Sequence, residues 1–215
     1  MLCAAPDGGA IGICASCLEE LPWQPTSVCP QCSLPSYSGA ICGNCLRSAP
    51  AFDSTRALFS YDYPLSAILQ RFKYQQALHI ARSFSTLMLH RFINTVEADR
   101  IIPMPLHPVR LAGRGFNQSQ EIARLLARHL KIPLDNSSCK RIKLAPPQAS
   151  LPLKARISNM RGAFRYEQQL DGQRVLLIDD VMTTGASLNA LAATVKAAGA
   201  SHVECWVVAR TQTKG

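Results

Sequence analysis

Apolar positions recur along this chain in two periods, and the alternation between them predicts a fold class. Arg56 to Tyr61 reads as a strand. From Leu65 to Ile93 apolar residues fall at helical spacing, with Leu78, Ala81, Phe84, Met88 and Phe92 on the repeating positions. Arg100 to Met104 is a short buried strand closed by a proline-rich turn. Gln118 to Leu130 predicts an amphipathic helix whose apolar face carries Ile122, Leu125, Leu126 and Leu130, with Asn117 placed to cap it. Arg174 to Ile178 is a continuous apolar strand, Leu188 to Ala198 a helix ended by Gly199, and Val203 to Ala209 a last strand. Strand, helix and strand in succession imply an α/β fold: a parallel sheet with crossover helices.

The first 50 residues follow neither period. They hold seven of the nine cysteines of the 215-residue chain, so something local organises them. Six form Cys-x-x-Cys pairs, Cys14/Cys17, Cys29/Cys32 and Cys42/Cys45, and Cys3 stands alone ahead of them. Two-residue spacing lets a tight turn present both sulfurs to one tetrahedral metal. Nine residues separate Cys32 from Cys42, which suits two short hairpins, and Gly43 is free to take a positive φ. Structural zinc is favoured over a disulfide framework, because Met1-Leu2-Cys3 does not open a secretory leader and a reducing cytoplasm follows. No apolar run approaches the ~18–20 residues of a membrane span. Spacing alone leaves the grouping open. Cys29, Cys32, Cys42 and Cys45 form one complete set, leaving Cys3, Cys14 and Cys17 one ligand short; the alternative joins Cys14 and Cys17 to Cys29 and Cys32.

Charge divides the chain at the same place, giving an expected zinc module at 1–50 and a second domain at 51–215. Residues 1–50 carry Asp7, Glu19, Glu20 and Arg47, so the positive excess behind the chain's formal net charge of +9 lies entirely in the remainder. Between 131 and 165 lie Lys131, Lys140, Arg141, Lys143, Lys154, Arg156, Arg161 and Arg165, opposed only by Asp135. Such a stretch suits phosphates or a solvated basic face, and charge does not choose between them.

Chemistry concentrates between Val175 and Ser187. The apolar run ends in Asp179 and Asp180, at the carboxyl edge of a parallel sheet, where open α/β folds bind ligands. Thr183-Thr184-Gly185-Ala186-Ser187 then enters a helix and offers hydroxyls and N–H groups to a phosphate monoester. Carboxylates repel phosphate but accept hydrogen bonds from ribose hydroxyls. Together they describe a ribose 5-phosphate site. Asp-Asp alone equally suits a metal or a solvated strand end.

The whole string resembles the phosphoribosyl diphosphate (PRPP) motif of type I phosphoribosyltransferases. With the cysteine pairs, Pro105-Leu106-His107, Arg110, the run Arg114 to Ser119, Gln148, Arg156, Asn159 and Ala163-Phe164, in that order, the chain is similar to the ComF (GntX) family, a double zinc ribbon followed by a phosphoribosyltransferase-like domain. That family has a full Cys-x-x-Cys where this chain has Cys3. The resemblance thus implies a start upstream of Met1 or a truncation, with a first zinc site lacking a ligand.

The resemblance also implies roles. Asp179 and Asp180 would hold the ribose diol, Thr183, Thr184, Gly185, Ala186 and Ser187 the 5-phosphate, and Leu106, His107, Arg110 and Arg114 the pyrophosphate. Pro103 and Pro105 have no N–H to give. Lys140 to Arg161 resembles the flexible loop that closes over the reacting centre, from which Arg141, Lys143, Arg156 or Arg161 would stabilise departing pyrophosphate. Arg141 and Arg156, with Asp179 and Asp180, are the catalytic candidates. Mg²⁺ would accompany PRPP. Two readings follow. One is transfer of phosphoribosyl to a nitrogen acceptor. The other is a non-catalytic PRPP-sensing or single-stranded-DNA-binding accessory protein of natural transformation, with a competence helicase as partner. Fold and motif do not separate them.

Overall fold

The computed structural model describes residues 8–75, 77–144, 160 and 162–212. Four parallel strands form the central sheet in the order β1-β6-β5-β2: β1 (Ser54–Ser60), β2 (Arg100–Pro103), β5 (Arg174–Met182) and β6 (His202–Arg210). A two-stranded antiparallel ribbon, β3 (Cys139–Arg141) with β4 (Phe164–Tyr166), stands apart from it. The expected α/β fold with a parallel sheet is what forms, and the ribbon is an addition. Among the described residues no helix is long and apolar enough to cross a membrane.

Alternation along β5 sends its side chains into two cores. Leu176 and Ile178 join the cluster built with α3 (Leu65–Tyr74), α4 (His79–Phe92) and α6 (Gln118–Leu130). Val175 and Leu177 join the opposite cluster, with α7 (Ala186–Ala197) and three cysteines of the N-terminal segment. Asn117 caps α6 as expected, accepting from the N–H groups of Ser119 (3.1 Å) and Gln120 (3.4 Å), while its amide donates to the Met104 carbonyl (3.0 Å). That last bond fixes the start of α6 to the end of β2.

Three boundaries differ from the sequence pattern. The apolar stretch from Leu65 to Ile93 is two helices, because Gln75 leaves the helical region and a new helix starts at His79. Counting a period across that break loses phase, so Leu78 caps α4 and is 48% exposed, while Ala81, Phe84, Met88 and Phe92 are buried. Strand β5 continues through Asp179 and Asp180 to Met182 instead of stopping at Ile178. Helix α7 starts at Ala186, so Ala186 and Ser187 belong to its first turn rather than to the loop.

The N-terminal segment closes the edge at β1. Trp23 forms an antiparallel bridge with Phe59, and the two rings meet at a tilt of 48° with centroids 4.7 Å apart. The Gln24 N–H donates to the Leu58 carbonyl (3.1 Å), Ser60 N–H to Pro22 (2.8 Å) and Thr55 N–H to Pro30 (3.0 Å). A covered edge offers no template for pairing with another chain.

Candidate functional site

The strongest local cluster is sulfur. Cys29, Cys32, Cys42 and Cys45 place their Sγ atoms within 4.8 Å of one another, and among the described residues no other group of three or more such ligands gathers. Sulfurs about 2.3 Å from a tetrahedral zinc lie about 3.8 Å apart, and Cys32 and Cys42 stand at 3.6 Å. The donor set and its spacing therefore fit zinc. This decides the grouping that spacing left open, against the set that joins Cys14 and Cys17 to Cys29 and Cys32.

Of the two hairpins expected, the first forms, with an antiparallel bridge between Val28 and Pro35 and the Cys29 N–H on the Leu34 carbonyl (2.8 Å), and the second is replaced by a short helix. Cys29 to Ser33 is a tight turn, closed by the Ser33 N–H on the Cys29 carbonyl (2.8 Å), whereas Cys42 caps α2 (Gly43–Arg47). Gly43 is helical, and between Cys29 and Cys45 the positive φ values fall on Ser33 (56°), Ser38 (52°) and Gly39 (71°). Cys14 and Cys17 are built like Cys42 and Cys45, with the first cysteine capping a short helix, α1 (Ala15–Glu19), and the second inside it. Cys3, their expected companion, lies outside the described residues. Burial pushes the Cys29 thiol up, but the N–H groups of Cys42, Cys32 and Gln31 win and hold it down at about 7. Burial raises Cys32 and Cys45.

The second site sits at the carboxyl ends of β2 and β5. Asp179 is 8% exposed and turned onto its neighbours: it accepts from Ser119 Oγ (3.0 Å) and from the Asp180 N–H (2.9 Å). Burial, then the adjacent Asp180 carboxylate, push its carboxyl up to about 7. Asp180 Oδ2 pairs with Lys73 Nζ at 2.9 Å. Burial opposes the charge on Lys73, yet Asp180 and then Asp179 hold the ammonium above its ordinary value. Gly185, at φ +81°, turns the chain from Thr184 into α7. The Thr184 hydroxyl accepts the Ala186 N–H (3.3 Å), and Ser187 Oγ lies 3.9 Å from Met160 Sδ.

The expected pyrophosphate residues sit on and before α5 (Pro108–Arg114). His107 caps that helix, its Nδ1 accepting the Val109 N–H (3.3 Å), so the ring is a turn residue with Nε2 left for a ligand. Arg110 is in the first turn. Arg114 donates to Gln118 Oε1 (2.7 Å) and lies over the Tyr74 ring at 5.7 Å. Leu106 and His107 line a cavity of about 430 Å³ together with Asn117, Asp135, Lys140 and Arg141. Lys140 and Arg141 are on strand β3, not in a loop, because they pair with Arg165 and Phe164 of β4. Arg141 is 8% exposed and packs over Phe164 at 5.6 Å. Its Nε is buried and has no hydrogen-bond partner among the described residues. Burial and then nearby Arg110 lower its guanidinium, against a pull from Asp179. Arg156, Arg161, Gln148 and Asn159 lie outside the described residues.

Three contributors escaped the sequence. Ser119 stood in the run from Arg114 without a role. Lys73 comes from α3, 107 positions before its partner, and no motif marks it. Arg210 ends β6, where a cation closing an apolar strand was the available signal.

Comparison with known proteins agrees with this architecture. A double zinc ribbon domain matches residues 1–46 and a phosphoribosyl transferase domain residues 117–215. Competence protein F of Haemophilus influenzae is 33% identical over 212 residues, 93% of this chain and 90% of that protein. DNA utilization protein YhgH of Escherichia coli K12 is 32% identical over 98% of this chain and 96% of that protein, and competence protein ComFC of Bacillus subtilis is 28% identical over 82% and 75%. Among solved structures, an adenine phosphoribosyl transferase from Trypanosoma brucei is a loose match, with TM-score 0.40 and 14% identity over 66% of this chain and 68% of that one. The class is thus a phosphoribosyltransferase-type domain joined to a zinc ribbon. Within it, this chain belongs to the ComF family of competence proteins.

Proposed function

We propose that this protein binds PRPP across the β5–α7 junction and transfers its phosphoribosyl group to a nitrogen acceptor, releasing pyrophosphate. The observation that carries this is the pairing of an acidic strand end with a glycine-turned helix start. Asp179 and Asp180 offer acceptors for a diol. The first turn of α7, with Thr183 and Thr184 before it, offers N–H and hydroxyl groups to the 5-phosphate. Asp179 is held by Ser119 and orients Asp180; Asp180 meets the ribose, with Lys73 balancing its charge. Leu106, His107, Arg110 and Arg114 flank the pyrophosphate. Arg141, whose buried Nε has no partner among the described residues, lines the cavity with Leu106 and His107 and would stabilise the leaving group. Arg156 would close from the segment between the ribbon strands. Mg²⁺ supplies neutralising charge to the pyrophosphate when bound.

In this reading residues 51–215 form the phosphoribosyltransferase-like unit and 1–50 the zinc module, and the protein works in the cytoplasm. Calorimetric titration of PRPP with and without Mg²⁺ tests the site. Asp180→Ala is expected to weaken binding at least ~10-fold, since it removes a charged hydrogen-bonding partner. No binding by the zinc-loaded wild type would sink the reading. Pyrophosphate release across a panel of nucleobases and amines then tests transfer.

The relatives' names, competence and DNA utilization proteins, favour a second reading, an accessory role in DNA uptake; in it single-stranded DNA would lie on the basic ribbon and a helicase would be the partner. Its affinity would fall steeply with salt, because released counterions dominate such binding. PRPP binding with silence across the acceptor panel favours it.

A further inference from the structure

Arg210 is the last residue of β6 and is 2% exposed. Its guanidinium reaches two places that the sequence keeps apart. Nε donates to the carbonyl of Cys32, a member of the four-cysteine set, at 2.8 Å. Nη1 donates to the carbonyls of Met182 (3.0 Å), Thr183 and Thr211 (3.0 Å). Met182 and Thr183 lead directly into the loop that turns at Gly185 onto α7. One rigid fork thus spans the cysteine knuckle and the entry to the phosphate loop. Arginine suits this position because its donors are fixed in a plane, whereas an ammonium offers a single point.

Charge explains why such a group is tolerated. Carbonyls alone compensate a buried cation poorly, and an unbalanced buried charge is costly. Four cysteinates around one Zn²⁺ would carry a formal excess of two negative charges, and the Arg210 guanidinium interacts electrostatically with Cys32, Cys45 and Cys42 of that set. With zinc bound, Arg210 would be an outer-layer partner of the metal, in the way that groups behind first ligands orient and balance a site. Without it, the guanidinium loses its counter-charge while keeping its burial.

We propose that Arg210 couples zinc occupancy at Cys29, Cys32, Cys42 and Cys45 to the conformation and ligand affinity of the 182–187 loop. The zinc module is then a buttress of the ligand site rather than a separate appendage. The ligand half of the proposal rests on the reading that this loop holds a phosphate monoester; the strut itself does not. Linkage makes the coupling reciprocal: zinc tightens the phosphate ester, and the ester tightens zinc by the same factor.

The test uses the full chain. Hydrogen exchange, followed by mass spectrometry, compares zinc-loaded wild type, chelator-treated wild type and zinc-loaded Arg210→Gln. The peptide covering 182–187 is expected to exchange at least ~10-fold faster in the latter two, while α6 peptides keep their protection. Unchanged protection of 182–187 after chelation, or in Arg210→Gln, would overturn the proposal. Should Arg210→Gln fail to fold, wild type alone decides. Its zinc Kd, measured by chelator competition, is expected to fall ~5-fold or more with saturating ribose 5-phosphate. An identical zinc Kd, with ribose 5-phosphate binding shown by calorimetry, overturns it. Absence of ribose 5-phosphate binding defeats the phosphate reading of the loop instead, and the chelation exchange arm still decides the strut.

Discussion

The four-cysteine knuckle and the Asp179–Asp180 strand end both crowd groups of one sign into a small space, and they are relieved differently. In the knuckle, sulfurs within 4.8 Å of one another are suited to a metal that brings more positive charge than any side chain can. At the strand end, relief comes from the chain itself: Lys73 on Asp180, and Ser119 with a backbone N–H on Asp179. A metal site built this way is closed and holds its shape. Hydrogen bonds and one ion pair are exchangeable, so a ligand's hydroxyls can compete for the carboxylate oxygens. The contrast separates a cluster suited to stabilising the fold from one open to a ligand.

Removing the relieving charge from each cluster should show that difference, and the knuckle should suffer more. Stripping zinc with a chelator, or Cys29→Ser, exposes a half-module that shares its core with Phe52, Leu188 and Val207. A loss on the order of 4 kcal/mol is expected, roughly 10 °C in melting temperature for a chain of this size. Calorimetric melts with parallel zinc quantification check it, and a metal-free protein melting like the loaded one would break the comparison.

Lys73→Met should cost less, about 2 kcal/mol. Breaking a buried pair by removing one partner costs ~3–5 kcal/mol, and the side chain of Lys73 is 22% exposed, so water recovers part of that. The double variant Lys73→Met/Asp180→Asn should melt above Lys73→Met, because it no longer leaves an unbalanced carboxylate. If both variants melt like wild type, Lys73 does not relieve the cluster.

The same contrast explains what was legible beforehand. The knuckle announces itself because Cys-x-x-Cys is local: two residues of spacing bring both sulfurs to one turn, and the metal is generic. Strands and helices were legible where the pattern ran unbroken, as in the helical period of α6 and the nearly continuous apolar run of β6. The pattern failed at Gln75, where a helix break hides inside a continuous apolar rhythm, and at the end of β5, where carboxylates sit inside a strand because side chains from α3 and α6 neutralise or bond them. Lys73 and Arg210 were not legible as site residues. Each gains its meaning from a partner more than a hundred positions away, and spacing carries no information at that range. The ribbon of β3 and β4 escaped because three-residue strands hold too few positions to show alternation.

The finest test concerns protons on the less relieved carboxylate. Asp179 faces Asp180 on its own strand, Lys73 from α3, Ser119 from α6 and Arg141 from β3, and its carboxyl stands at about 7, above the ordinary carboxylate value. The folded state therefore binds a proton that the unfolded chain releases near pH 4. Between about pH 4 and pH 7 the native state holds more protons than the unfolded state, so stability falls as pH rises through that window. Asp179→Asn keeps an oxygen for Ser119 Oγ and the Asp180 N–H but cannot ionise. Its melting temperature should therefore gain on wild type from pH 5 to pH 8. One proton limits the slope to about 1.4 kcal/mol per pH unit. Parallel melting curves for the two proteins across that range would mean that Asp179 is ionised at little cost. Lys73 would then relieve both carboxylates, and the strand end would resemble the knuckle more closely than its exchangeable bonds suggest.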